Sequence, residues 1–239
     1  MSQSPPPRVA TLLGMFAKHW QPGKVKTRLA QAVGESHAAM IHAFFVLALV
    51  ERLQQVAQRR VLAFAPPEAE KAFGCVVKGR WELAAQAGGD LGERMERFLT
   101  HALAAADRVV LIGSDSPDVP KAVLDEAFAA LQKHDVVLGP SADGGYYLVG
   151  VARRLPPIFA DIAWSTPDVW TQTTSRLRAA GIGWHELPPW YDVDDLAGLQ
   201  ELARRLTAAD AAEPRLVQLR RELGTLLGPE TRRTAKSQR

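Results

Sequence analysis

Carboxylates, cations and glycines gather in four short stretches of this chain. In "VVLIGSDSPDVP" (109–120) an apolar run meets Gly113, then two aspartates within four positions, then proline. A carboxylate where a buried strand ends, here Asp115, has two uses. It can supply oxygen to a divalent cation, or it can hydrogen-bond its own backbone and make a turn. "WYDVDDLAGL" (190–199) sets Asp192, Asp194 and Asp195 between an extended stretch and a helix. Like charges this close repel unless a cation offsets them, although one of the three could simply cap the helix. Asp115 with one of this group would make a two-carboxylate Mg2+ or Mn2+ site, completed by water and substrate phosphates.

The phosphate side lies near the N-terminus. "FAKHWQPGKVKTRLA" (16–30) holds Lys18, Lys24, Lys26 and Arg28, with a turn at Pro22-Gly23. Four cations beside a helix start suit a diphosphate; they equally describe a solvated basic loop. The stretch is not a P-loop, because Gly23-Lys24 is followed by Val25 and the upstream glycine is missing. In "LGPSADGGYYLVG" (138–150), Gly144-Gly145 lets backbone approach a ligand closely. Asp143 precedes the pair, and Tyr146 and Tyr147 alternate faces. The same Asp-Gly step is a strong hairpin signal.

These stretches need a scaffold. Apolar segments 8–18, 59–66, 108–115, 135–141 and 145–152 read as strands. Segments 36–58, 92–107, 121–134, 166–181 and 194–206 read as helices, with Ser36 and Ser165 or Thr166 as caps. Continuous apolar strands separated by helices predict one α/β domain, a mostly parallel central sheet flanked by helices. Ligands of such sheets sit outside the carboxyl ends of the strands, where Asp115 falls. The expected boundaries are a disordered 1–7, a domain over 8–228, and a basic flexible tail over 229–239.

Bulk properties narrow the class. The 239 residues are 47% hydrophobic and 23% charged, ordinary for a globular domain. The lone cysteine, Cys75, excludes an internal disulfide and a thiolate metal cluster, and fits a cytoplasmic setting. The apolar run 38–50 is interrupted by His42 and falls short of the roughly 20 residues that span a bilayer. The net charge of +3 comes from the tail. Without Arg232, Arg233, Lys236 and Arg239, 25 basic residues face 26 acidic ones, so no nucleic-acid surface is expected. The six histidines show no ligand spacing. A phosphatase D-x-D-x-T on the first strand and a hydrolase G-x-S-x-G are both absent.

Six segments in order, "FAKHWQPGKVKTRLA", "GGDLGERM" (88–95), "LIGSDSPDVP", "DVVLGPSADGGYYLVG", "AWSTPDVW" (163–170) and "DVDDLAGL", resemble bacterial transferases associated with radical-SAM and selenium-domain gene clusters, also described as arsenosugar-biosynthesis glycosyltransferases. That family is similar to the nucleotide-diphospho-sugar transferase superfamily, with a glycosyltransferase-A, Rossmann-like fold. The resemblance implies a Mg2+- or Mn2+-dependent glycosyltransferase that takes a nucleotide or nucleotide-sugar donor and a small-molecule acceptor. By position it implies Lys26 and Arg28 in the phosphate-contacting loop; Lys18 and Gly23 of the same stretch are further candidates, and Arg94 either lines the nucleotide pocket or sits in a plain loop into a helix. Asp115 and Asp194, with Asp192 beside it, fall on the metal side. Asp143, Gly144 and Gly145 fall in the donor or acceptor pocket, with Tyr146 and Trp164 as further candidates there; Asp143 is a candidate base for the acceptor hydroxyl, and Asp115 is the other candidate catalytic residue. Two departures stand out. Ser116 replaces a common cysteine, and Asp195-Leu196-Ala197-Gly198 replaces the usual helix start. A nucleotidyltransferase using a nucleoside triphosphate and a non-catalytic nucleotide-binding protein are the alternatives. No membrane partner is expected, and the oligomeric state is not legible in the chain.

Overall fold

In the computed structural model, which describes residues 7–208 and 213–234, the first strand is β1 (Val9–Lys18). The chain then forms α1 (Thr27–Val33), α2 (Glu35–Arg52), β2 (Arg59–Ala65), α3 (Glu70–Val77), β3 (Glu82–Ala85), α4 (Leu91–Ala105) and β4 (Ala106–Ile112). It continues through α5 (Lys121–Ala130), β5 (Val136–Pro140), β6 (Tyr146–Ala152), α6 (Val169–Ala179), β7 (Trp184–Glu186), α7 (Leu196–Ala208) and α8 (Pro214–Thr234). Residues 1–6 of the expected N-terminal segment and 235–239 of the expected tail lie outside the described residues.

The strands make one seven-stranded sheet in the order β3-β2-β1-β4-β6-β5-β7. All neighbours run parallel except β6, which is antiparallel to both β4 and β5. Five residues between β5 and β6 allow a hairpin and no crossover, so the Asp-Gly step makes the hairpin. Both faces are covered, which is why the strands are apolar on both sides. Leu13, Met15 and Ala17 of β1 pack under α2, α3 and α5, while Leu12 packs on the α4 and α6 side. A satellite cluster joins α1, α2, α7 and α8 through Leu29, Ile41, Phe45, Leu202 and Leu219.

That second layer accounts for α2. Its apolar run lacks a polar stripe because one face meets the sheet and another meets α7 and α8. The helix starts at Glu35, with Gly34 (φ 83°) between α1 and α2, and not at a Ser36 cap. It ends at Arg52, six residues earlier than expected. The buried Arg52 guanidinium donates to the carbonyl of Val119 and pairs with Glu213 at the start of α8, so it ties three segments together. Likewise α6 begins at Val169, not at 166, because Thr166 Oγ1 donates to Ala163 O and Ser165 sits at φ 64°. Among the described residues no helix is long and apolar enough to cross a membrane.

The topology locates the cleft. From β1 the chain moves outward to β2 and β3, then α4 crosses the other face and β4 pairs with the opposite side of β1. Connections leave β1 and β4 in opposite directions, and ligands of open α/β sheets bind at such a switch point. The loops after β1 (19–26) and after β4 (113–120) therefore meet at one edge.

Candidate functional site

A cleft of about 720 Å³ opens at that edge. Lys18, Lys26, Arg28, Arg94, Asp115, Asp143, Gly145, Tyr146, Trp164, Asp192 and Asp194 line it, and Lys24 joins them. Gly23 and Gly144 do not reach the wall. Both have positive φ, 74° and 89°, and shape the loops from behind.

Lys26 is the centre of the arrangement. Its Nζ lies 2.5 Å from Asp115 Oδ1 and 3.0 Å from Asp194 Oδ1, and its side chain is 3% exposed. Arg28 Nη2 reaches Asp194 Oδ2 at 2.9 Å from the solvent side. Burial disfavours the Lys26 ammonium, yet the two carboxylates outweigh it and hold its pKa above the ordinary lysine value. Burial would likewise raise the Asp115 carboxyl, but Lys26 and then His42 hold it below the ordinary range.

The three neighbouring aspartates have three different tasks. Asp194 accepts from Lys26 and Arg28. Asp195 Oδ1 accepts from the Gly198 backbone N–H at 2.9 Å and caps α7. Asp192 accepts from the Ser116 hydroxyl at 2.7 Å and the Ser141 hydroxyl at 3.0 Å. The Val193 N–H donates to Asp115 O at 2.9 Å, which joins the two acidic loops through backbone. In "DSPD", Asp115 faces the cleft while Asp118 turns inward, accepting from Tyr191 Oη and Arg205 Nε as a brace.

Burial, then the Asp115 charge, raise the Asp192 carboxyl to about 6, with the two serine hydroxyls working the other way. Folding thus favours the protonated acid. That contribution to stability is complete below about pH 4 and is lost as pH rises through about 6. Asp192→Asn is neutral throughout. In the absence of metal it should gain on the wild type between pH 5 and 8, on the order of 2 kcal/mol. Melting temperatures at the two pH values check this; an equal difference at both contradicts it.

The other segments converge by packing. Asp90 and Glu93 form a capping box that starts α4. It aims the first turn at the cleft, where Arg94 donates to Gln86 Oε1 at 3.2 Å. Gly92, in the same turn, has no side chain, and the Trp164 indole occupies that space: a Cβ there would lie 2.5 Å from its Nε1. Tyr146 stands edge-on to Trp164 at 6.3 Å, its hydroxyl buried beside Thr173. Asp143 Oδ1 accepts from the Gly145 N–H at 3.1 Å, so its carboxylate shapes the hairpin as well as lining the cleft.

Sequence reasoning gave no place in the site to three side chains here. Ser116 and Ser141 hold Asp192. His42, which lies in an apolar run like any core histidine, is buried on the cleft wall. Its Nε2 donates to Lys18 O at 2.9 Å and its Nδ1 lies 3.8 Å from Asp115. The helical spacing of His42 and Phe45, whose ring lies 5.7 Å from Lys26 Nζ, was a usable signal.

An Mg2+ or Mn2+ ion fits this donor set in one way. Asp115 and Asp194 already surround a single ammonium, so two carboxylate oxygens are disposed around one cation. Among the described residues no three His, Cys, Asp or Glu side chains are grouped to hold a metal ion. Such an ion would take its remaining ligands from water and phosphate, as Mg2+ commonly does.

Residues 48–166 match the family model described as an uncharacterized protein conserved in bacteria, DUF2064. A candidate nucleotide-diphospho-sugar transferase from Desulfovibrio desulfuricans G20 is 35% identical, with a TM-score of 0.82 over 91% of this chain and 96% of that one. CMP:2-keto-3-deoxy-manno-octonic acid synthetase, solved with CTP, has the same fold at a TM-score of 0.56 and 15% identity, over 84% of this chain and 99% of that one. So does a 4-diphosphocytidyl-2C-methyl-D-erythritol synthase from Anaerococcus prevotii DSM 20548, at 0.54 and 9%, over 83% and 99%. No curated protein matches the sequence.

Proposed function

From its cleft, from the match of residues 48–166 to the DUF2064 model and from the 35% identity to the Desulfovibrio protein, we propose that this chain is a divalent-metal-dependent transferase taking a nucleotide-diphosphate donor, specifically a glycosyltransferase using a nucleotide sugar. One observation carries the reading. Lys26 from the loop after β1, Arg28 from the first turn of α1, and two carboxylates from loops after β4 and β7 meet at the topological switch point. That arrangement suits a diphosphate bound with a metal ion.

In this reading Lys26 and Arg28 bind the diphosphate, with Lys18 and Arg94 on the flanks. Asp115 and Asp194 hold the ion, and Asp192 supports them from the serine pair. A bound Mg2+ or Mn2+ would offset charge on the departing diphosphate. The Tyr146 and Trp164 wall takes the sugar, and the Gly145 backbone lets it approach closely. Asp143 receives the acceptor hydroxyl proton, as an inverting transfer requires. The ordered motifs that resemble the radical-SAM-associated transferases support the glycosyl assignment. Arg28→Ala should weaken nucleotide binding by roughly 10- to 100-fold, the loss of one charge-assisted contact. Titration calorimetry with nucleoside diphosphates and Mn2+ reads it, and unchanged affinity removes Arg28 from the site.

Five basic side chains on the cleft wall favour one second reading, transfer of a nucleotidyl group from a triphosphate. The leaving group separates the two. Labelled nucleotide sugars and nucleoside triphosphates are offered with Mn2+. Free nucleoside diphosphate from a sugar donor supports glycosyl transfer. Pyrophosphate from a triphosphate, with no sugar donor turned over, overturns it.

A further inference from the structure

Lys26 is placed with unusual constraint for a phosphate-binding lysine. Its ammonium is enclosed, with two carboxylate oxygens at 2.5 and 3.0 Å. Its Nζ also lies over the Phe45 ring, 5.7 Å from the centroid. Its backbone is left-handed at φ 49°, uncommon for a residue with a side chain, and it caps α1 with its carbonyl accepting from Ala30 N–H. Other nearby cations do not fill the gap between the acids. Arg28 reaches the outer oxygen of Asp194, and His42 spends its Nε2 on Lys18 O.

We propose that Lys26 is an internal stand-in for the divalent cation: its ammonium bridges Asp115 and Asp194 in the donor-free protein and is exchanged for metal when the donor's diphosphate offers it a new partner. This rests on the reading above that the donor is a metal-bound diphosphate. No covalent bond changes; Lys26 trades two carboxylate contacts for phosphate oxygens. Metal alone must displace a tethered, well-paired ammonium and so binds weakly. Diphosphate removes that competition, so metal and donor strengthen each other's binding, and by linkage the effect is reciprocal.

The test is Mn2+ alone, by the electron paramagnetic resonance signal of the free ion, on wild type, Lys26→Met and Lys26→Arg. Methionine keeps the apolar stem without the charge. Lys26→Met should bind Mn2+ at least about tenfold more tightly than wild type, the equivalent of one charge-assisted contact. Lys26→Arg should stay near wild type, and Asp115→Asn in the Lys26→Met background should erase the gain. Melting curves supply a second readout: Lys26→Met melts below wild type in chelator and recovers with Mn2+, while wild type barely moves. If Lys26→Met is recovered unfolded, refolding with and without millimolar Mn2+ decides. Recovery only with the ion supports the exchange, and failure in both overturns it. Equal Mn2+ affinity in wild type and Lys26→Met also overturns it. Nucleoside diphosphate binding to wild type separates the two readings. If Lys26→Met gains Mn2+ affinity and no diphosphate binds, the role of Lys26 as occupant of the cation position stands, and the donor assignment falls with the diphosphate-driven step. If diphosphate binds and Lys26→Met gains nothing, the exchange falls alone.

Discussion

Asp115→Asn is expected to abolish Mn2+-dependent binding of nucleoside diphosphates while the protein stays folded. The side chain is one of two carboxylates around the proposed cation position, and an amide offers a single neutral oxygen in its place. A loss of more than about 100-fold is expected, since one of only two protein ligands is removed. The fold survives for identifiable reasons. The Asp115 backbone carbonyl, not the carboxylate, accepts from Val193 N–H. Lys26 keeps Asp194, so no buried ammonium is stranded. A stability cost of about 1–3 kcal/mol follows from the lost charged contact. Calorimetry with Mn2+ and nucleoside diphosphates, beside a circular dichroism melt, checks both halves. Undiminished metal dependence in a folded variant removes Asp115 from the site.

Gly144→Ala should cost about 2–4 kcal/mol of stability and deform the pocket wall. Gly144 has φ 89°, and a Cβ there would lie 2.2 Å from Pro167 O and 2.7 Å from Pro167 Cα, both backbone. Gly144 O also accepts from Trp170 N–H at 2.8 Å, so the hairpin and the 163–170 segment are fastened together. Pushing them apart lifts Trp164 from its seat against Gly92. Urea melts and tryptophan fluorescence read the two effects. Gly183→Ala is the control, because nothing stands within 4 Å of a Cβ there and its φ is unexceptional. It should stay within about 0.5 kcal/mol of wild type. Similar melts for the two variants would contradict the packing argument.

Strands were legible where burial on both faces leaves a continuous apolar run, as in β1 and β4. Strand direction was not, because a period of two is the same in parallel and antiparallel pairs; only the short 141–145 connection carried that information. Three elements were not anticipated. Helix α3 is short, and β3 is a four-residue edge strand with half-buried residues. Helix α8 is different: Pro214 in its first turn and Leu216, Leu219 and Leu223 at helical spacing were readable. The acidic segments were visible as such, but the tasks of Asp192, Asp194 and Asp195 were not. Those depend on Ser116, Ser141 and Lys26, which lie far away in the chain and are brought near by the order of the strands.

The Lys26–Asp194 pair joins residues 168 apart in sequence. A ribosome adding ~5–20 residues per second thus leaves roughly 10–30 s between the emergence of the lysine and that of its second carboxylate. Every strand of the sheet has been made by then, since β7 ends at Glu186. The site is therefore completed only after every strand has been made, with α7 and α8 still to follow. A nascent or prematurely halted chain carries the sheet's strands before it can close the bridge that Lys26 makes.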